Sequence, residues 1–215
     1  MDKAKTVIDF YVLCNKLKNV IRTGWKDWGV KRNRVESVAE HIYGVQMLAI
    51  AMWSQFQYNV DIRKVILMLA VHELEEVIIG DLTQFQIDKE TKAKIGHRAV
   101  KEILSQLGSG QDIVELILEF DERRTDEAKF AYQCDKLECD LQCKLYDEEN
   151  CVDLSDQKNN NTANNENVKN LLNSGKTWGE MWLAFGQQRY NYDENFLSVS
   201  NFAMKNEISC LDENQ

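Results

Sequence analysis

The stretch from Asp61 to Gly80 reads DIRKVILMLAVHELEEVIIG, and its apolar residues recur at every third or fourth position. That spacing is the period of an α-helix, so one face collects Ile62, Val65, Leu69, His72 and Glu76. Aspartate commonly caps a helix N-terminus, and glycine suits the left-handed turn that follows a helix. The stretch therefore predicts one apolar helix from Asp61 to Gly80, with polar side chains on its buried face.

The same helical spacing continues on both sides of this stretch, and the 215 residues include no proline. Because proline breaks helix interiors, both observations favour an all-α fold, a single-domain helical bundle over residues 1–215. The capping-box pattern Ser37-Val38-Ala39-Glu40 predicts a helix that runs to about Phe56, and Thr177-Trp178-Gly179-Glu180 predicts a later one. Further helices are expected at about 3–21, 88–108 and 112–122, and from residue 125 onward.

An asparagine-rich tract lies late in the chain, where seven of the sixteen residues between Ser155 and Asn170 are asparagine. Because such a polar segment buries too little apolar surface to fold stably, we expect a surface loop or a disordered insert at about 155–170. A domain boundary is not expected there, because too little chain follows to form a second core.

The composition limits the class of partner. The formal net charge of −9 argues against nucleic-acid binding, and no apolar run is long enough to predict a membrane span. The N-terminal residues lack the pattern of an export signal, so a cytoplasmic location is expected. Basic residues concentrate between Lys16 and Arg34, which indicates either a solvated basic face or an anion site. A homodimer is compatible with the sequence.

Four side chains are candidate metal ligands. His41 and His72 fall on the inward faces of successive predicted helices, Glu73 can reach the same point as His72, and Asp135 lies among apolar residues of a later helix. Each of them alone is readily explained as a core residue with a hydrogen-bond or ionic partner. Together, two nitrogens and two carboxylates suit one divalent ion such as Mn²⁺, Co²⁺, Fe²⁺, Mg²⁺ or Zn²⁺, with positions left for water and substrate.

These motifs together resemble a known family. Arg34-Val35-Glu36-Ser37-Val38-Ala39-Glu40-His41, then His72-Glu73 with Gly80-Asp81, then Asp135, resemble the H…HD…D signature of the HD-domain phosphohydrolases over about residues 15–146. Within them the chain is most similar to the metal-dependent 5′-deoxynucleotidases. The resemblance implies that the two histidines and two carboxylates bind one divalent metal.

The resemblance also implies roles outside the ligand set. Glu76 would serve the catalytic water, and Asp81 would contact the sugar or assist proton transfer. Arg22, Trp25 and Arg34 are the candidates for holding the nucleotide. The implied substrate is a small molecule, a nucleoside 5′-monophosphate and preferably a 2′-deoxyribonucleotide.

Two departures from the family pattern leave alternatives open. Glu73 stands where the family has aspartate, and no proline follows Gly80-Asp81. His97, the remaining histidine, is expected in a solvated turn of helix, so a mononuclear site is favoured over a dinuclear one. The alternatives are an HD hydrolase of another phosphate, such as a nucleoside triphosphate or a guanosine alarmone, and a degenerate relative that binds nucleotide or metal without turnover.

Overall fold

The computed structural model describes residues 2–209, and these residues are mostly helical. They contain no strand, only an isolated antiparallel bridge between Ile21 and Ser37. The predicted all-α fold is therefore confirmed. The α-helices in chain order are α1 (Lys3–Cys14), α2 (Thr23–Asp27), α3 (Val38–Phe56), α4 (Ile62–Val71), α5 (Glu76–Ile79), α6 (Lys89–Leu104), α7 (Gly110–Glu122), α8 (Asp126–Glu148), α9 (Asn161–Asn164), α10 (Glu166–Asn173), α11 (Trp178–Arg189) and α12 (Glu194–Lys205).

The predicted helix starts agree with the caps in the structure. Ser37 and Thr177 both form full capping boxes, at the N-termini of α3 and α11. Asp61 and Asp88 each accept a hydrogen bond from a backbone N–H in the first turn of α4 and α6. These side chains satisfy N–H groups that have no partner within the helix, which is why the boundaries could be predicted.

The predicted helix over 61–80 is wrong in its middle, because α4 ends at Val71 and α5 begins only at Glu76. Between them the N–H groups of Leu74 and Glu76 bond to carbonyls three residues back, at 3.1 and 3.2 Å. Bonds of this i→i−3 type form turns that are tighter than those of an α-helix. His72 and Glu76 are thus both buried without sharing one helical stripe.

The first helix is also shorter than predicted. It ends at Cys14, a 3₁₀ helix follows at Asn15–Asn19, and the chain is extended from Val20. The extended conformation allows Ile21 to form its bridge with Ser37 instead of a further helical turn.

The asparagine-rich tract is not the irregular loop that its composition predicts. It contains α9 and the start of α10, and the side chains of Asn160 and Asn165 cap these two helices. Asparagine favours such caps because its side-chain oxygen accepts backbone N–H groups. Val168 is fully buried, so a single apolar anchor holds α10 in place.

The described chain divides into two compact units. The first is formed by the residues up to Thr23 together with Glu36–Tyr132, and the second by Gly24–Val35 together with the chain from Gln133 onward. One domain over residues 1–215 stays a prediction at this point. Among the described residues, no helix is both long enough and apolar enough to cross a membrane.

Each unit has its own core. In the first unit α3 packs on α4, and α6 packs on α7. The α6–α7 pair buries Leu74, Val100, Leu104, Val114 and Ile117. In the second unit α11 packs on α10 and α12, and an aromatic cluster consists of Trp25, Trp28, Tyr146, Trp178 and Trp182. Most of the site described below belongs to the first unit.

Candidate functional site

The extended chain before α2 is tied to the start of α3. Ile21 pairs with Ser37, and the Arg22 N–H donates to the Glu36 carbonyl at 3.0 Å. This backbone hydrogen bond restrains the main chain of Arg22, so that mainly its side chain can still change orientation. Arg22 is thereby held beside the N-terminus of the helix that carries His41.

His41 lies in the first turn of α3 and is completely buried. Ser37 Oγ accepts from the Glu40 N–H, and the Glu40 carboxylate accepts from the Ser37 N–H at 2.9 Å. This capping box determines where the helix begins. It therefore fixes the rotation at which His41 enters the protein interior, on the same face as Val45 and Ala49.

His72 follows the last residue of α4, and its ring is fixed by the main chain. Its Nδ1 donates to the Leu69 carbonyl at 2.8 Å. Because a carbonyl only accepts, Nδ1 carries the proton of the neutral ring, and Nε2 keeps the lone pair that a metal ion requires. The break in the helix after Val71 thus presents His72 as a ligand in a defined tautomer.

Glu73 brings these elements together. Its Oε1 lies 3.8 Å from His72 Nε2, 4.0 Å from His41 Nε2 and 3.5 Å from Arg22 Nη1. The two imidazole rings are 5.6 Å apart, centroid to centroid. The carboxylate therefore faces both ring nitrogens at distances longer than a hydrogen bond, beside a guanidinium group.

Asp135 lies on α8, where it is buried and forms an ion pair with Lys136 at 2.7 Å. Asp135 belongs to the second unit, whereas His41, His72 and Glu73 belong to the first. Within the first unit the structure thus brings together three of the four candidate ligands, His41, His72 and Glu73. The ligand role of all four stays a prediction.

The donor set fits a divalent metal ion. Bonds of about 2.0–2.2 Å from a metal to nitrogen or oxygen place two ligands of one ion within roughly 4.4 Å of each other. The separations of 3.8 and 4.0 Å between Glu73 Oε1 and the two imidazole nitrogens satisfy that limit. Imidazole nitrogens and a carboxylate oxygen are also donor types that divalent transition metals accept.

Asp81 is held at the edge of this group by Thr23. The Thr23 N–H donates to Asp81 Oδ2, and Thr23 Oγ1 donates to the Asp81 carbonyl, both at 2.6 Å. Arg22 Nε lies 3.9 Å from the same carboxylate oxygen. Gly80 precedes it with a φ of 75° and a ψ of 167°, a conformation that is essentially limited to glycine. The structure therefore places Asp81 and Arg22 together, and their roles toward a nucleotide stay predictions.

Glu76 is almost fully buried, and its Oε1 lies 3.2 Å from Lys92 Nζ. Burial raises the pKa of Glu76 well above its usual range, and the charges of Glu73 and Asp81 add to that rise while Lys92 opposes it. A raised pKa suits a group that exchanges protons near neutral pH. The role of Glu76 toward a catalytic water stays a prediction.

Sequence reasoning missed Lys92, which lies on α6. A signal was available, because the spacing puts Lys92 on one stripe with the buried Gly96 and Ala99. Burial alone would lower the pKa of Lys92, but the carboxylates of Glu73 and Glu76 keep it above its usual value. A lysine on an apolar stripe indicates a buried carboxylate partner.

Trp25 and Arg34, predicted to hold the nucleotide, belong to the second unit. Trp25 is buried and packs edge-on against Tyr146 and Trp178, with centroids 5.4 and 6.0 Å apart. Arg34 is exposed in the turn before α3. Their roles toward a nucleotide stay predictions.

His97 is not among the ligand atoms that cluster around His72, but it is less solvated than expected. Its Nε2 lies 2.6 Å from Asp121 Oδ2, and both side chains are only partly exposed. Burial raises the pKa of Asp121, and the bond to His97 works against that rise. The pair joins α6 to α7 and explains the histidine without a metal.

Known proteins resemble this chain in sequence and in fold. A 5′-deoxynucleotidase of Dictyostelium discoideum is 33% identical over 150 residues, which cover 66% of this chain and 78% of that protein. A human 5′-deoxynucleotidase is also 33% identical over 150 residues, which cover 67% of this chain and 70% of the human protein. The fold is similar to that in a crystal structure of a Pyrococcus horikoshii protein, with a TM-score of 0.63 and 24% identity. The match covers 92% of this chain and 98% of the Pyrococcus chain.

A sequence model of the HD domain matches residues 14–188, a range that includes all the candidate ligands and parts of both units. That range and the identity to the two relatives are sufficient to assign the family. The chain belongs to the HD-domain family.

Proposed function

We propose that this protein is a metal-dependent phosphatase that releases phosphate from nucleoside 5′-monophosphates and prefers 2′-deoxyribonucleotides. The observation that carries the proposal is the convergence of the His41 and His72 imidazoles on the Glu73 carboxylate, within 4.0 Å and beside the Arg22 guanidinium. The names of the relatives, 5′-deoxynucleotidases, supply the substrate class.

The proposed cofactor is one divalent ion, either Mn²⁺, Co²⁺, Fe²⁺, Mg²⁺ or Zn²⁺. His41, His72, Glu73 and Asp135 would hold it. When bound, such an ion supplies a Lewis acid that polarises a phosphate oxygen and lowers the pKa of a water molecule. The orientation of His72 by the Leu69 carbonyl supports its role as a neutral nitrogen ligand.

The residues around the ligand set would bind substrate and move protons. Arg22 is proposed to bind the phosphate dianion, because its guanidinium lies beside the candidate metal ligand Glu73 and can donate to phosphate oxygens. Glu76 would accept the proton of the attacking water, the role that the resemblance implies for it, since its buried carboxylate lies three residues after the candidate ligand Glu73. Asp81 would contact the sugar or return a proton to the leaving 5′ oxygen.

The proposal also includes selectivity for the 2′-deoxyribose over the ribose sugar. Trp25 is proposed to close off the 2′ position, and Arg34 is proposed as a further contact to the nucleotide. A site without a partner for a 2′ hydroxyl would disfavour ribonucleotides by about 1–3 kcal/mol, or roughly tenfold to a hundredfold. We propose a cytoplasmic enzyme that acts on free nucleotide rather than on nucleic acid or at a membrane, and a homodimer is compatible with it.

Phosphate release from a panel of nucleotides tests the function. The panel comprises dAMP, dGMP, dCMP, AMP, GMP and one deoxynucleoside triphosphate at matched concentration. We expect release from every monophosphate, with the deoxy forms faster. Equal rates on ribo and deoxy forms would reduce the enzyme to a general nucleotidase, and activity on the triphosphate alone would refute the proposal.

A further inference from the structure

Thr23 contacts Asp81 at two points, across 58 positions of sequence. The Thr23 N–H donates to Oδ2 of the carboxylate, and the hydroxyl donates to the main-chain carbonyl of the same residue, both at 2.6 Å. One bond fixes the side chain of Asp81 and the other fixes its main chain. Bonds to both parts of a residue limit its rotation as well as its position.

Asp81 needs such a clamp because it lies outside regular structure. It follows Gly80, the C-cap of α5, and the next helix begins only at Lys89. Gly80 itself still bonds to the Glu76 carbonyl at 3.0 Å, so the chain is anchored up to that residue. For Asp81 the two contacts from Thr23 take the place of helical hydrogen bonds.

The clamp is itself anchored to the helix that carries the first histidine. Arg22, next to Thr23, bonds through its N–H to the Glu36 carbonyl just ahead of α3. A shift of Asp81 relative to His41 would therefore require at least one of these hydrogen bonds to break. The ion pair from Arg22 Nε to Asp81, at 3.9 Å, adds attraction but gives less direction than the shorter bonds.

We propose that Thr23 is a positioning residue, which holds Asp81 for contact with the sugar and so contributes to selectivity between deoxyribonucleotides and ribonucleotides. The inference rests on the proposed function, since it assigns Asp81 to the substrate. A displacement of about 1 Å in a positioning contact can lower rates by up to roughly a hundredfold. Loss of one of two bonds should have a smaller effect than that.

The test compares Thr23→Val with Thr23→Ser. Valine keeps the shape and the backbone N–H but removes the hydroxyl donor, whereas serine keeps the donor. We expect Thr23→Val to lower kcat/KM on dAMP roughly tenfold and to reduce the ratio of dAMP to AMP rates, with Thr23→Ser close to wild type. Thr6→Val is the matched control, because the Thr6 hydroxyl bonds to a main-chain carbonyl on the exposed surface of α1.

A mutant cycle separates positioning from general stability. If Thr23 acts through Asp81, Thr23→Val should cause no further loss of rate in a protein that already carries Asp81→Ala. An unchanged rate and ratio in Thr23→Val, or an equal additional loss in the Asp81→Ala background, would overturn the inference while the phosphatase function stands. Absence of phosphate release by the wild type from every nucleotide would overturn the proposed function and this inference with it.

Discussion

Lys92 Nζ lies 3.2 Å from Glu76 Oε1, so an ammonium group on α6 meets a nearly inaccessible carboxylate on α5. Burial would lower the pKa of Lys92, yet Glu73 and Glu76 raise it above its ordinary value, so the ammonium stays charged at neutral pH. Each member of this pair therefore offsets part of the desolvation cost of burying the other.

Replacing Lys92 should destabilise the fold. In Lys92→Met the Glu76 carboxyl loses its cation, and we expect the free energy of unfolding to fall by about 2 kcal/mol. Lys92→Arg should recover part of that loss. Urea denaturation measures the change, and Lys129→Met is the control because the pair of Lys129 with Asp126 is exposed. Equal losses in Lys92→Met and Lys129→Met would contradict the assigned role.

Two neighbouring glutamates should differ sharply in function. Glu76→Gln is expected to retain metal but to lower turnover roughly 100-fold or more, since an amide cannot accept the water proton. The Glu75 side chain packs instead against Gly96 of α6, so Glu75→Gln, which keeps its shape, should stay close to wild type. Elemental analysis and phosphate release measure both effects. Metal loss in Glu76→Gln would make Glu76 a metal ligand. Loss of activity in Glu75→Gln would assign the catalytic role to Glu75 and contradict the prediction.

Glu73 tests the departure from the family's aspartate. Glu73→Asp should keep measurable activity, because the carboxylate remains and only moves by about 1 Å. Glu73→Ala should lose the metal, since the carboxylate that faces both His41 Nε2 and His72 Nε2 is then absent. The readouts are metal content and turnover. Unchanged values of both in Glu73→Ala would show that the ion is held by other groups.

Gly186 tests the packing of the second unit. A Cβ at this position would lie 1.9 Å from Asp140 Oδ2, an oxygen that also accepts from Tyr192 at 3.0 Å. Gly186→Ala should therefore lower the free energy of unfolding by about 3 kcal/mol. Gly24→Ala, where a Cβ would meet nothing within 4 Å, is the matched control and should be neutral or stabilising. Equal stability of the two variants would contradict this packing.

Local signals made much of the fold, and the burial of three candidate ligands, predictable. Ser37, Asp61, Asp88 and Thr177 are capping residues whose effect is confined to one helical turn, so the sequence alone locates four helix starts. His41, His72 and Asp135 could be identified because polar side chains on apolar faces need a partner. This need for a partner is visible in the sequence even when the partner itself is not.

Contacts between distant segments could not be predicted in the same way. The break after Val71 depends on the hydrogen bond from His72 to Leu69 and on tighter turns, and neither changes the apolar period of the stretch. The contact of Thr23 with Asp81 joins residues 58 positions apart. Asn160 and Asn165 read as disorder by composition, yet they cap helices.

The most direct test of the metal-dependent phosphatase is to measure metal content and phosphate release on the same samples. Wild type and His72→Ala are analysed for bound metal, then assayed on dAMP before chelation, after chelation and after divalent ions are restored. We expect the wild type to hold one divalent ion per chain, to lose its activity on chelation and to regain it with the ion, and His72→Ala to lack both. Full activity of metal-free wild type, or of His72→Ala, would contradict the account.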